Sequence, residues 1–332
     1  MKKTFLFAVS LSAVVSAYAQ NNFGKEISII NKDNAKAHIG FLASDFLKGR
    51  DAGSESNYIA GEYIVSQLMQ EGIEPFNESY FIPFDAIVIP KKEGRPEYVI
   101  DRERIIKEKT ESVKQLKMRN IIAKIDGENP NEFVVIGAHY DHLGIGEAVG
   151  NDSIFNGADD NASGVSAVLQ IAKAIKQKGV KPKRTIVFAF WDGEERGLLG
   201  SKRFVEDFKD RDKIKGYLNF DMIGRNNNEE KPKHVVYFYT QAYPQFGDWM
   251  KLQVANNDID LQPDLRPWDK PVGGSDNASF AKHNIPIIWY HTDAHPDYHK
   301  VGDHSGKINY DKVVQISRSA CENIWNLANQ DY

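Results

Sequence analysis

From residue 119 onward the apolar positions alternate between two patterns. Short continuous apolar runs predict strands at 120–125, 133–138, 185–191, 217–221, 235–239 and 286–290. Between them, apolar residues at helical spacing predict helices at 162–178, 198–208, 243–256 and 310–328. Strands without polar alternation are buried on both faces, so this pattern implies an α/β three-layer sandwich around a central, mostly parallel mixed sheet. Upstream, 30–46 reads as a helix with Ile39, Phe41, Leu42 and Phe46 near one face. A second helix is expected over 56–71, with Ile59, Tyr63, Ile64 and Leu68 at helical spacing and Gly72 as its stop. Residues 78–118 mix short apolar pieces with a charged run, 101–117. They read as an exposed loop or helical excursion on a single domain spanning 20–332.

The N-terminus follows another logic. Lys2 and Lys3 precede an apolar run from Phe5 to Val15, and Ser16-Ala17-Tyr18-Ala19-Gln20 offers a small-x-small cleavage pattern after Ala19. Residues 1–19 therefore read as a signal peptide, with export to the periplasm or the medium. The run is too short for a permanent bilayer span, so no stable membrane insertion is expected. Removing the leader takes away two lysines and no acid from a chain of net charge −4, which leaves no broad basic surface for nucleic acid. Cys321 is the only cysteine, so an internal disulfide is excluded. It falls in an apolar helical pattern and reads as a small core residue.

The chemistry is signalled by where acids and histidines fall. The strand at 133–138 runs into His139-Tyr140-Asp141-His142. The strand at 185–191 runs into Asp192-Gly193-Glu194-Glu195, and the strand at 217–221 ends on Asp221. A further pair, Asp159-Asp160, opens the helix after Asn156-Gly157-Ala158. Ligands of open α/β sheets bind at the carboxyl ends of strands, so these side chains are expected on one rim. Imidazole nitrogen and carboxylate oxygen are the donors zinc favours. His139, Asp160, Glu195, Asp221 and one further histidine make a set suited to two metals sharing a carboxylate. That histidine is left open among His291, His295, His299 and His304.

The segments GAHYDHLG, NGADDNASG, DGEERGLLGS, NFDMIGR and DYHKVGD, in this order, resemble the blocks of the co-catalytic zinc aminopeptidase family. The stretch SDFLKGRDAGSESNYIAGEYIVSQLMQEGIEP also resembles that family's N-terminal helices. The resemblance implies a zinc-exopeptidase fold, two zinc ions per chain, and peptides with free N-termini as substrates. It implies that Asp160 bridges both ions, that His139 and Asp221 complete one site, and that Glu195 and His299 complete the other. Glu194 becomes the general base and acid, Tyr298 a donor to the developing oxyanion, and the Asp160–Asn161 peptide bond cis. Asp141 is expected to fix the His139 ring. The sequence departs from the family pattern at Ser275-Asp276-Asn277, where a histidine often stands in place of Asn277; no role follows for Asp276. Related activities are a glutaminyl cyclase with one zinc, a carboxypeptidase and a non-catalytic receptor-like domain. The presence of all five ligands and Glu194 favours the aminopeptidase. Trp268, Phe280 and Trp289 are candidates for the substrate pocket; substrate preference and oligomeric state are not readable.

Overall fold

The computed structural model describes residues 23–256, 258–268 and 274–332. The leader expected at 1–19 lies outside these residues. Among them, no helix is long and apolar enough to cross a membrane.

Twelve strands occur in the described residues: β1 Glu74–Pro75, β2 Phe81–Ile89, β3 Glu97–Val99, β4 Lys114–Ile125, β5 Asn129–His139, β6 Gly144–Val149, β7 Asp152–Phe155, β8 Arg184–Trp191, β9 Ile214–Phe220, β10 His234–Thr240, β11 Gln262–Trp268 and β12 Ile287–His291. Ten of them form one sheet in the order β11-β10-β12-β9-β5-β8-β4-β2-β3, with β1 pairing β4. Strands β12, β9, β5 and β8 are parallel neighbours at its centre. Toward one edge β4, β2 and β3 run antiparallel. At the other edge β10 is antiparallel to β12 and parallel to β11, so four pairings of this sheet are parallel and five antiparallel, and the sheet is mixed rather than mostly parallel as expected. Residues 126–128 alone join β4 to β5, and a parallel return needs a crossover of about a dozen residues.

The helices are α1 Lys32–Leu42, α2 Glu55–Gln70, α3 Arg102–Glu108, α4 Gly164–Lys178, α5 Leu199–Asp207, α6 Gln245–Ala255, α7 Asn277–Ala281 and α8 Tyr310–Asn329. Side-chain oxygens of Asn31, Ser54, Asp101 and Asn309 accept the first free N–H groups of α1, α2, α3 and α8. Alternate strand residues face two cores. Val134, Ile136, Phe188, Leu218 and Phe220 pack with α1, α2, α4, α6 and α8 on one face. Val135, Val187, Trp191, Tyr217 and Trp289 pack with Phe204 of α5 and Phe280 of α7 on the other. Helices on both faces of a mixed sheet make the expected three-layer sandwich. Cys321 is fully buried in the first core.

Three further expectations change. The helix expected over 30–46 stops at Leu42, and a 3-10 turn, Asp45–Arg50, follows. It carries Lys48, Gly49 and Arg50 at positive φ, so Phe46 leaves the helical face and stands 92% exposed. Ile59 is 46% exposed, because α2 buries Ala60, Ile64, Val65 and Leu68 instead. Residues 78–118, expected as a loop or helical excursion, supply β2, β3, α3 and the start of β4.

Candidate metal centre

Strands β5, β8 and β9 are adjacent and parallel, so their carboxyl ends meet at one sheet edge. His139 is the last residue of β5, Glu194 and Glu195 sit in the turn after β8, and Asp221 follows β9. Asp160 comes from the irregular segment Ala158–Ser163 before α4. Gly157 enters this segment at φ 61, and a Cβ there would stand 2.6 Å from the His142 ring. The Asp160–Asn161 bond is cis. Asn161 donates to the Phe220 carbonyl at 2.8 Å and accepts the Gly164 N–H at 3.1 Å, linking Asp160 to the end of β9. Asp303 accepts the N–H groups of Asp159 and Asp160 at 3.0 and 3.1 Å, which ties the His299 loop to the same segment.

Two donor groups form around Asp160. On one side His139 Nε2 lies 3.2 Å from Asp160 Oδ1 and 3.8 Å from Asp221 Oδ1. On the other, His299 Nε2 lies 3.1 Å from Asp160 Oδ2 and 3.3 Å from Glu195 Oε2. The five residues expected as ligands thus lie around Asp160. The other downstream histidines point elsewhere. His291 Nδ1 meets the Asp221 carbonyl at 2.6 Å, His295 faces Asp159 at 3.4 Å, and His304 meets Asp152 at 3.2 Å.

His139 Nε2 and Glu195 Oε1 are buried and make no hydrogen bond among the described residues. Buried polar atoms are nearly always paired, so unpaired ones converging from several elements fit a metal ion. His139 Nδ1 donates to the Asp141 carbonyl at 3.2 Å, which leaves the Nε2 lone pair facing Asp160 and Asp221. This refines the expectation for Asp141. Its carboxylate stands 3.6 Å from the ring and instead accepts the N–H groups of Glu194 and Glu195 at 3.0 and 3.3 Å. Asp141 therefore sets both the His139 ring and the turn that carries the two glutamates.

The electrostatics reflect crowding of acids. Burial, joined by the charges of Asp221, Asp276 and Glu195 and opposed by His139, pushes Glu194 well above the usual carboxylate range. Burial acts the same way on Asp160, but His139, His142 and His299 outweigh it and hold that carboxyl well down. Burial also disfavours charge on His299, yet Asp160 and Glu195 raise it to about 10. Beneath the cluster, Arg50 is buried and donates to the carbonyls of Tyr140, Leu42, Asn156 and Gly157. Burial brings its guanidinium down to about 10, against the pull of Asp160, Asp141, Asp303 and Glu195, so it stays charged at neutral pH.

A cleft opens over the cluster, lined by Asp160, Glu194, Asp221, Met222, Trp289 and Tyr298 among others. Tyr298 stacks against His299, with ring centroids 3.8 Å apart. Burial and then the charges of Asp160 and Asp221 raise its hydroxyl, keeping it protonated. Trp289 reaches the cleft, whereas Phe280 is core, stacked on Tyr217, and Trp268 ends β11 against Phe238. Asn277 accepts from Asn219 behind β9 at 3.3 Å, and Asp276 is buried, its carboxyl pushed up to about 7 by burial. The sequence reading passed over His142, Asp303 and Arg50. The first two lie inside segments already singled out, His142 three residues after His139 and Asp303 four after His299. Arg50 carries no local signal, because its partners are carbonyls from distant loops.

Comparison with known proteins agrees with this geometry. The family model described as Peptidase family M28 matches residues 120–324, a stretch that contains every candidate ligand. The chain is 31% identical over 214 residues to leupeptin-inactivating enzyme 1 of Streptomyces exfoliatus, covering 63% of this chain and 44% of that protein. It is 31% identical over 209 residues to leucine aminopeptidase 2 of Trichophyton equinum, covering 58% and 38%. The chain thus spans less than half the length of these curated relatives. Its fold is similar to that of BSAP, a zinc aminopeptidase from Bacillus subtilis, with a TM-score of 0.66 at 16% identity, covering 91% of this chain and 96% of that one. With the matched region carrying the whole rim of acids and histidines, the chain belongs to peptidase family M28.

Proposed function

We propose that the chain is a zinc aminopeptidase, holding two zinc ions and removing single residues from peptides with free N-termini. The observation that carries this reading is Asp160 shared between two donor groups, with Glu194 beside them on an open cleft. The names of the relatives support both the metal and the activity. Zinc ions held there supply Lewis acidity, polarising a scissile carbonyl and acidifying a water.

The chain's own residues do the rest. His139, Asp160 and Asp221 would hold one ion, and Asp160, Glu195 and His299 the other. A Glu194 carboxylate oxygen, on the cleft beside both donor groups, takes the proton of the attacking water and passes it to the leaving amine nitrogen. Tyr298, kept protonated, donates to the oxygen that gains charge. The carboxylates around the cleft attract the α-ammonium of a free N-terminus, a charge that a blocked peptide lacks. The leader read at residues 1–19 places the reaction in the periplasm or the medium.

A mass-spectrometric time course tests the reading. Free peptides of varied first residue, one beginning with Gln, are incubated with N-acetylated copies and added zinc. Stepwise N-terminal shortening of the free peptides alone is expected. Loss of ammonia from the Gln peptide without shortening would indicate a glutaminyl cyclase, and C-terminal shortening a carboxypeptidase. An unchanged mixture would reject peptidase action.

A further inference from the structure

The two donor groups around Asp160 are unequal once His142 is included. His142 Nδ1 lies 2.8 Å from Glu195 Oε1 and 3.9 Å from Asp160 Oδ2. At 2.8 Å a ring N–H and a carboxylate would ordinarily share a hydrogen bond. Here both atoms are buried and neither makes one among the described residues. The separation is short enough, so the failure is one of direction: the ring nitrogen is not aimed at the oxygen. Two buried donors this close that leave each other unpaired have room for an ion beside them, and Asp160 Oδ2 stands 3.9 Å from the same nitrogen. His299 Nε2 behaves alike, 3.1 Å from Asp160 and 3.3 Å from Glu195. His142 is also held from both sides. Its backbone N–H donates to the Arg50 carbonyl at 3.1 Å, and Gly157 leaves space for its ring.

We propose that His142 Nδ1 is a fourth protein ligand of the metal held by Asp160, Glu195 and His299, an assignment that rests on the two-metal reading above. Donors about 2.0–2.1 Å from a tetrahedral zinc stand about 3.3 Å from one another. The separations of 2.8, 3.1, 3.3 and 3.9 Å around this point bracket that value. The His139, Asp160 and Asp221 group offers three donors; His142, Asp160 and Glu195 form a second group of three, to which His299 adds a fourth within 3.1 Å of Asp160 and 3.3 Å of Glu195. Four protein ligands characterise closed sites and three characterise sites with an open position. The His142 site is therefore the retentive one, and the His139 site exchanges its metal and keeps a position open for substrate or water.

The test uses the whole protein loaded with zinc to one and then two equivalents, counted by elemental analysis. X-ray absorption at the zinc edge reads the imidazoles bound. With one equivalent the proposal expects about two imidazoles per zinc, and with two equivalents about 1.5. One imidazole per zinc at both loadings, with two zincs bound, would overturn the role of His142 and leave the two-metal site standing. A protein that binds fewer than two zincs would overturn both readings. His142→Ala, where it folds, should lower the count at full loading to about one and abolish the difference in retention between the two zincs during chelator dialysis. Affinity alone would not decide, because a residue that only orients a ligand also changes metal binding about 10- to 100-fold.

Discussion

The parallel centre of the sheet and its antiparallel wing, β1 to β4, are both built of apolar strands, yet they handle charge differently. In the wing, charges meet in pairs near the surface: Arg104 with Glu97 and Glu108, Lys124 with Asp126, Arg119 with Glu62. At the centre, Asp160, Glu194, Glu195 and Asp221 crowd one rim with three histidines, and Arg50 lies beneath. The difference follows from strand direction. Parallel neighbours all end at the same edge, so residues just past their ends converge. Antiparallel neighbours send successive ends to opposite edges and gather nothing. The centre should therefore govern activity and metal content, and the wing stability.

The largest effect expected is for Asp160→Asn, which weakens the donor shared by both groups. Metal content measured by elemental analysis should fall, and activity should drop about a thousandfold or more. Next, Glu194→Gln should lower kcat about 10²- to 10⁴-fold with metal content and melting temperature near wild type. Retained activity would remove Glu194 from its role. In the wing, Arg119→Ala loses the guanidinium 3.8 Å from the Phe81 ring and its bond to the Tyr58 carbonyl. It should cost about 1–2 kcal/mol in urea unfolding and leave kcat unchanged. A large loss of kcat without loss of stability would break the division between centre and wing.

The smallest effect concerns pH, far from the rim. Burial first, and then Lys173, bring His38 down to about 4, with its Nδ1 2.9 Å from the Tyr63 hydroxyl. Below about pH 6.5 the unfolded chain takes up a proton at this ring, and the native chain does not until about pH 4. Stability contributed here is present above pH 6.5 and lost as pH falls through that window. His38→Gln should flatten the fall by at most about 2 kcal/mol, read as the difference between the two metal-free proteins in urea titrations at pH 7 and pH 4.5.

The contrast between centre and wing also explains what the sequence revealed. Strands β5, β8 and β9 announce themselves because burial on both faces removes polar residues, and their functional side chains follow the last apolar position. The wing is harder to read because β2 and β4 alternate buried and exposed positions unevenly. β11 is nearly invisible. Its sequence, QPDLRPW, carries two prolines, which an edge strand tolerates and a central one does not. The candidate ligands were legible as residue types in order, with His299 singled out only by the resemblance of the DYHKVGD segment to a family block. Direction was not legible. Nothing local says that the carbonyl of Asp141, rather than its carboxylate, holds His139, or that His142 turns inward.

The Arg50 guanidinium fastens a turn near the N-terminus to carbonyls on the two loops that deliver His142 and Asp160. The cluster of donors is therefore complete only when that turn has docked, which ties the site to contacts made across 90 to 107 residues of chain. A break in the chain before Arg50 would leave the guanidinium on the downstream fragment, still bonded to both loops, so the clasp does not depend on the continuity of the turn that precedes it.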